Sequence, residues 1–240
     1  MARAHEVLGG RWTLLIVREI LCGSRRFNDI RRGIPRVSRT VLSERLQSLV
    51  LVGAIARTDG PHGPEYALTE AGRELAVLVS ALGTWGQRWL AREPANEDLD
   101  LEPLLIDMQR RVRFTALPKE PLVVRFEVRG HHRRYMLLKR TEASICHHNP
   151  GFPEPVHVRG PLAALVAWWR GDVSFVEARR MGLTIDGPKA FSRAFPKWFD
   201  LYAFAHIGPA ERETGQTPAL ALTVSSAVDL DKRHRGKNGH

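Results

Sequence analysis

Between Phe27 and Gly53 the chain carries two short helical patterns with a tight turn between them. Phe27 and Ile30 stand three apart with Gly33 just beyond, which predicts a short helix over Phe27–Arg32. The turn runs Gly33-Ile-Pro-Arg-Val37. Ser38 then offers a hydroxyl that accepts a backbone N–H in the first turn of a second helix. In that helix Leu42, Leu46 and Leu49 recur at i, i+4 and i+7 as one buried stripe, and Gly53 closes it. Two short helices joined this way, the second polar at its start, make a helix-turn-helix.

The flanking residues extend the motif. A helix is predicted over Trp12–Cys22, with Leu14, Leu15, Val17, Ile20 and Leu21 on a wide apolar face and Gly23 as its stop. Ala54–Arg57 and Glu65–Leu68 read as strands around the turn-rich Thr58-Asp-Gly-Pro-His-Gly-Pro64, a candidate wing. Thr69 caps a further helix bearing Ala71, Leu75, Leu78, Val79, Leu82, Trp85 and Trp89, more apolar surface than a small domain's core absorbs. Leu82, Trp85 and Trp89 form a seam at three- and four-residue spacing. Either the seam meets a partner helix in a two-fold dimer, or it caps this domain's core or packs on the rest of the chain. Such a dimer would set two reading helices about 34 Å apart on successive major-groove faces.

The whole chain has 240 residues and a formal net charge of +10, with 43% apolar and 26% charged residues. That length suits one large domain or two small ones, and that composition excludes wholesale disorder. The longest apolar runs, such as Leu14–Val17 and Leu162–Trp169, fall short of the roughly 18 residues that span a bilayer. Met1–Glu6 lacks a signal-peptide apolar region, so a cytoplasmic protein without a membrane partner is expected. Cys22 and Cys146, the two cysteines, exclude a disulfide framework and a four-cysteine zinc site. Cys22 lies on the apolar helix, where a buried, inert thiol is expected.

Charge is unevenly placed. Residues 1–93 carry 14 Lys and Arg against 9 Asp and Glu, residues 94–109 carry 5 acidic and no basic residues, and residues 110–210 carry 17 basic against 8 acidic. The acidic run from Pro94 to Pro103 reads as a linker whose apolar end is able to start the next helix. The expected organisation is a DNA-binding and dimerisation domain at 1–93, a linker at 94–103, a second domain at 104–207 and a flexible tail at 208–240. Within the tail, Ala219–Val228 is apolar enough to add an edge strand.

In the second domain a helix is predicted over Leu104–Phe114. Strands are predicted over Leu122–Val128, Arg133–Arg140, Glu142–His148 and Pro155–Val158. Apolar helices over Pro161–Arg170 and Val173–Met181, a short strand over Leu183–Asp186 and a last helix over Pro188–Trp198 follow. Strands first and helices later argue for an α+β layer, so the chain as a whole is read as α+β with two domains.

Several runs in the first domain carry a resemblance: Leu8-Gly-Gly-Arg-Trp-Thr-Leu-Leu-Ile-Val-Arg-Glu19, Arg26-Phe-Asn-Asp-Ile30, Leu42-Ser-Glu-Arg-Leu46, Tyr66-Ala-Leu-Thr-Glu-Ala-Gly72 and Trp85-Gly-Gln-Arg-Trp89. In combination they resemble the HxlR family of bacterial winged-helix transcription regulators, in register through most of residues 2–90. The resemblance implies a homodimer that binds double-stranded DNA at a palindromic operator. It also implies a cysteine just before the segment aligned with Ala2–Ala4, where this chain begins with methionine. Either the start is truncated or a cysteine-based sensing mechanism is absent. In the second domain, Trp168-Trp-Arg-Gly-Asp172, Phe175-Val-Glu-Ala178 and Gly182-Leu-Thr-Ile-Asp-Gly187 resemble the latter half of sterol carrier protein 2-like domains, which hold apolar ligands under their helices.

Candidate sites follow. Stepping 100° per residue from the Leu42 stripe puts Thr40, Glu44 and Gln47 on the opposite face, flanked by Arg39 and Ser43. Arg39 suits guanine, Gln47 adenine, Glu44 a cytosine amino group, and Ser43 or Thr40 a base or a phosphate. Ser38 starts that helix, Arg25 and Arg26 precede the motif, Arg36 lies in its turn, and Arg57 and His62 flank the wing, all suited to phosphate or minor-groove contact. For Arg45, nearer the core edge, a structural ion pair and a phosphate contact stand equally. Leu82, Trp85 and Trp89 are the dimer candidates.

An apolar effector pocket would be lined by Trp168, Trp169, Phe175, Met181, Phe191, Phe195 and Trp198, over Phe126, Val128 and Met136, although an aromatic stripe at this spacing is commonly core. Arg125, Arg133, Arg134 and Lys139 would meet a ligand carboxylate or face water. His131, His132, His147, His148 and His157 are poor metal candidates, because adjacent histidines on a strand point to opposite faces. No HExxH, CxxC, Walker, GxSxG or dinucleotide-binding signature occurs, so no enzyme, metal or cofactor is expected. The alternative function is a lipid or apolar-ligand carrier whose first domain serves mainly to dimerise. A third class is general basic association with RNA or a membrane surface, disfavoured by the pattern around Ser38 but kept alive by the basic second domain.

Overall fold

A computed structural model describes residues 1–90 and 99–210; linker residues 94–98 and the tail beyond 210, with Ala219–Val228, lie outside the described residues. The N-terminal half runs α1 (Ala2–Leu8), α2 (Thr13–Leu21), α3 (Phe27–Gly33), α4 (Arg39–Leu51), β1 (Ile55–Gly60), β2 (Gly63–Leu68), α5 (Glu70–Glu74) and α6 (Ala76–Trp89). Ser38 caps α4, its Oγ accepting the Val41 N–H at 3.2 Å. Leu42, Leu46 and Leu49 are fully buried with Ile16, Val17, Ile20 and Ile30 in one core.

Three local readings are corrected. The strands pair as far as Gly60 opposite Gly63, so the hairpin tip is only Pro61 and His62. Thr58, Asp59 and Pro64, read as loop, belong to the ladder, and Pro64 is tolerated because a two-stranded ribbon has an unpaired edge. The helix capped by Thr69 breaks at Leu75 into α5 and α6. The helix α1 was not anticipated; it buries no residue, and so its sequence shows no apolar stripe.

The C-terminal half opens with α7 (Leu101–Arg110), capped by Asp100, whose Oδ1 accepts the Glu102 N–H at 3.0 Å. It starts earlier than the Leu104 expected, since Pro103 in a first turn gives up no helical hydrogen bond. Strands β3 (Leu122–Val128), β4 (Arg134–Lys139), β5 (Glu142–Cys146), β6 (Val156–Gly160) and β7 (Thr184–Asp186) form a sheet ordered β5-β4-β3-β6-β7. The β3 and β6 pair is parallel and the other pairs are antiparallel. Helices α8 (Leu162–Trp169), α9 (Phe175–Arg180) and α10 (Lys189–Ala194), with a 3-10 turn at Phe195–Trp198, pack with α7 in a core that includes Phe126, Met136 and Val158 of the sheet. The last helix, expected unbroken to Trp198, tightens at Phe195, where Pro196 follows. No helix among the described residues is long and apolar enough to cross a membrane.

The two halves meet along specific contacts. Gln87 of α6 donates to Arg170 O at 3.2 Å and to Asp172 Oδ1 at 3.3 Å, and a Cβ on Gly83 would overlap the Phe204 ring. Arg110 of α7 reaches Glu19 of α2 at 2.7 Å. Within the first half, Gly72 of α5 lies so close to the Ala54 carbonyl that a side chain has no room. Alanine normally favours a helix over glycine, but here Gly72→Ala is expected to lower stability by about 1–3 kcal/mol in urea unfolding, because overpacking against backbone outweighs propensity.

Candidate nucleic-acid interface

Burial divides α4 into two faces. Leu42, Leu46 and Leu49 face the core, while Arg39, Thr40, Ser43, Glu44 and Gln47 are all exposed. One guanidinium, one carboxylate and one amide thus stand beside two hydroxyls along an exposed helix face, the donor and acceptor set that base edges require. Arg45 is half-buried, its guanidinium lying against the Gly10 backbone in the turn between α1 and α2.

The wing is built from more than its hairpin. The Tyr66 N–H donates to Arg25 O at 2.7 Å, and Arg26 forms an isolated bridge with Glu65, so the strand-like Arg25–Arg26 segment edges β2. Arg26 Nη2 also pairs with Glu65 Oε1 at 3.2 Å, and Arg57 Nη2 with Asp59 Oδ1 at 3.4 Å. Both pairs are solvated, and such pairs contribute only about 0–1 kcal/mol, so a phosphate competes for either arginine at little cost. Arg25, Arg36, Ser38 and His62 are exposed as well, His62 at the hairpin tip.

Leu82, Trp85 and Trp89 of α6 remain exposed. The side of α6 that meets the second half is the one bearing Gly83 and Gln87, and Leu75 and Val79 adjoin the first-half core. Residues Val77, Ala81, Thr84, Trp85 and Trp89 line an open groove of about 660 Å³.

The aromatic candidates of the second half come together as packed core. Trp168 meets Phe175 at 5.2 Å and Phe195 at 5.9 Å between centroids, and Phe195 meets Trp198 at 5.9 Å. Trp169, Phe126 and Met136 are buried in the same cluster, with Phe175 at its margin. The four cations proposed to face water or a ligand are each paired: Arg125 with Glu154, Arg133 with Glu127, Arg134 with Glu102 and Lys139 with Glu142. Among the described residues no group of three His, Cys, Asp or Glu is placed to hold a metal.

Sequence reasoning missed a buried charge cluster. Glu19, Ser24 and Arg110 join α2 to α7, and the legible signal was a glutamate three residues on from Ile16 on an otherwise apolar helix face. Cys22, expected buried, is exposed just past the end of α2. Partial desolvation nevertheless raises its pKa, outweighing the lowering by nearby Arg110. In a Cys146→Ser background, Cys22 is therefore expected to react slowly with a disulfide reagent at neutral pH, the rate still climbing beyond pH 9.0.

Residues 7–94 match the family described as HxlR-like helix-turn-helix. YvaP of Bacillus subtilis (strain 168), an uncharacterised HTH-type transcriptional regulator, is 40% identical over 91 residues, covering 37% of this chain and 84% of YvaP. An uncharacterised HTH-type transcriptional regulator of Mycobacterium tuberculosis H37Rv is 46% identical over 97 residues, covering 38% of this chain and 60% of that protein. The solved reduced form of the B. subtilis transcriptional regulator YodB is 31% identical, with a TM-score of 0.34, covering 38% of this chain and 91% of its own.

Proposed function

The chain belongs to the HxlR-like helix-turn-helix family through residues 7–94, and from that premise we propose that it binds a palindromic duplex operator as a homodimer. It is an HTH-type transcriptional regulator. The observation that carries the finer reading is the exposed polar face of α4 opposite its buried leucine stripe. In this reading Arg39 addresses guanine, Gln47 adenine and Glu44 a cytosine amino group, with Thr40 and Ser43 on bases or phosphates. Arg25, Arg26, Arg36, Ser38, Arg57 and His62 set the register through phosphate or minor-groove contact.

Dimerisation is supported by the outward face of α6. A helix with one side on its own core, one on the second half and a third exposing Leu82, Trp85 and Trp89 has an apolar face left for a second copy. A finer part of the proposal gives the second half an apolar effector. Its support is an aromatic core in which the buried Trp198 Nε1 has no hydrogen-bond partner among the described residues. An effector acts only through different affinities for two states of the protein.

Selection from random duplexes tests the DNA reading. A two-fold site is expected, with Arg39→Ala and Gln47→Ala altering the preferred bases and Arg26→Ala lowering affinity uniformly. If a dimer neutralises about eight phosphates, log K falls against log salt with a slope near −7. Unaltered preference in both α4 variants would reject this reading face. Separately, Leu82→Glu should shift the protein to monomer in sedimentation and weaken duplex binding, since it buries a charge at the seam.

A further inference from the structure

Glu19 is a carboxylate with 1% of its side chain exposed, and its partners come from both halves of the chain. Oε1 accepts from Arg18 Nη2 at 2.6 Å. Oε2 accepts from Arg110 Nη2 at 2.7 Å and from Ser24 Oγ at 3.4 Å, and Arg110 Nη2 also donates to Ser24 Oγ at 2.9 Å. The carboxylate presses against the end of α3, where a Cβ on Gly33 would overlap it, and Arg18 reaches Gly33 O at 3.4 Å. Beyond Gly33 lies the turn to α4, anchored in the core by Ile34 and Val37. The charge cluster therefore sits where α2, α3 and α7 converge, directly behind the segment that carries the reading helix.

Arg110 is itself held. One turn earlier on α7, Asp107 Oδ2 accepts the Trp169 indole N–H at 2.8 Å and Oδ1 accepts from Arg111 Nε at 3.3 Å. Trp169 packs edge-on against Trp168 and Phe199 in the aromatic core. Two hydrogen-bonded contacts and one helical turn thus separate that core from the buried carboxylate. Burial works against the Arg110 guanidinium, but the hydrogen bond and charge of Glu19 outweigh it and raise its pKa, so Arg110 keeps its positive charge.

We propose that Arg110 is a positioning residue for DNA recognition: from the second half of the chain it neutralises the buried Glu19 carboxylate, and thereby sets the attitude of α3, the turn and α4. Any state of the second half that displaces α7 then moves the reading helix. Without Arg110 the carboxylate keeps only Arg18 and Ser24, and it must swing toward water, releasing its packing against Gly33. The inference rests on the DNA-binding reading, and its test includes a readout that does not.

In the full chain, Arg110→Ala, Arg110→Lys, Glu19→Gln and the double variant Glu19→Gln with Arg110→Ala are compared by amide hydrogen exchange and by affinity for the selected duplex. For Arg110→Ala, exchange across residues 27–51 is expected to rise and duplex affinity to fall, each by about tenfold, with a broadened base preference. Arg110→Lys falls between, because a single ammonium replaces the guanidinium fork at Glu19 and Ser24. The double variant recovers most of the loss, because no charge is left buried without its partner. The proposal is overturned if Arg110→Ala raises exchange only over residues 101–110 with affinity within about twofold of the parent, or if the double variant is no better than Arg110→Ala alone. Should Arg110→Ala fail to fold, Arg110→Lys carries the same readouts. A parent protein that binds no duplex refutes the DNA-binding reading, while the exchange pattern still judges the joint.

Discussion

A carboxylate taken out of water must be met by donors where it lies, and Glu19 places that demand at the meeting of three helices. Removing one partner of a buried ion pair costs typically about 3–5 kcal/mol, against a stability of about 5–15 kcal/mol for a whole domain. Such a term is large enough to make the packing of α2, α3 and α7 one cooperative arrangement. It also means that the half with the helix-turn-helix and the half with the five-stranded sheet are not independent bodies joined by an acidic string. Gln87 with the Arg170 carbonyl, and Gly83 beneath Phe204, reinforce the same docking from α6.

That docking explains how one long helix serves several ends. The side of α6 given to Gly83 and Gln87 is covered by the second half, and the side with Leu75 and Val79 adjoins the first-half core. The small and polar residues therefore lie on the side where backbone and side-chain amide must approach closely, while the tryptophans lie outward. The proposed pairing of two copies rests on that outward apolar face, and the proposed reading of a two-fold site by α4 of each copy rests on the pairing.

The helix-turn-helix was legible because its signals are local. The Ser38 cap, the leucine stripe and the Gly53 stop each act within a few residues, and each appears where the spacing placed it. The wing was misread in length because Gly60 and Gly63 look like loop, whereas they close the two-residue tip at the end of a continuous ladder. The helix α1 was silent because it buries nothing, and Cys22 was misplaced because the apolar pattern of α2 outlasts the helix by one residue. The strands of the second half were read within a few residues, because short apolar runs such as Leu122–Val124 and Met136–Leu138 are bounded by polar and turn-forming residues.

By itself, then, the sequence determined most of the helices and strands apart from α1, the length of the wing and the break at Leu75, as well as which face of α4 meets the core and which family the first half joins. Those properties depend on spacing and caps, which the chain carries residue by residue. Only the tertiary structure decided that the second half docks on the first, that Glu19 shares its buried charge with Arg110, and that Arg125, Arg133, Arg134 and Lys139 are each paired with a glutamate. Ion pairs between residues ninety positions apart leave no periodicity, and the energy of burying a charge depends on what folding brings beside it.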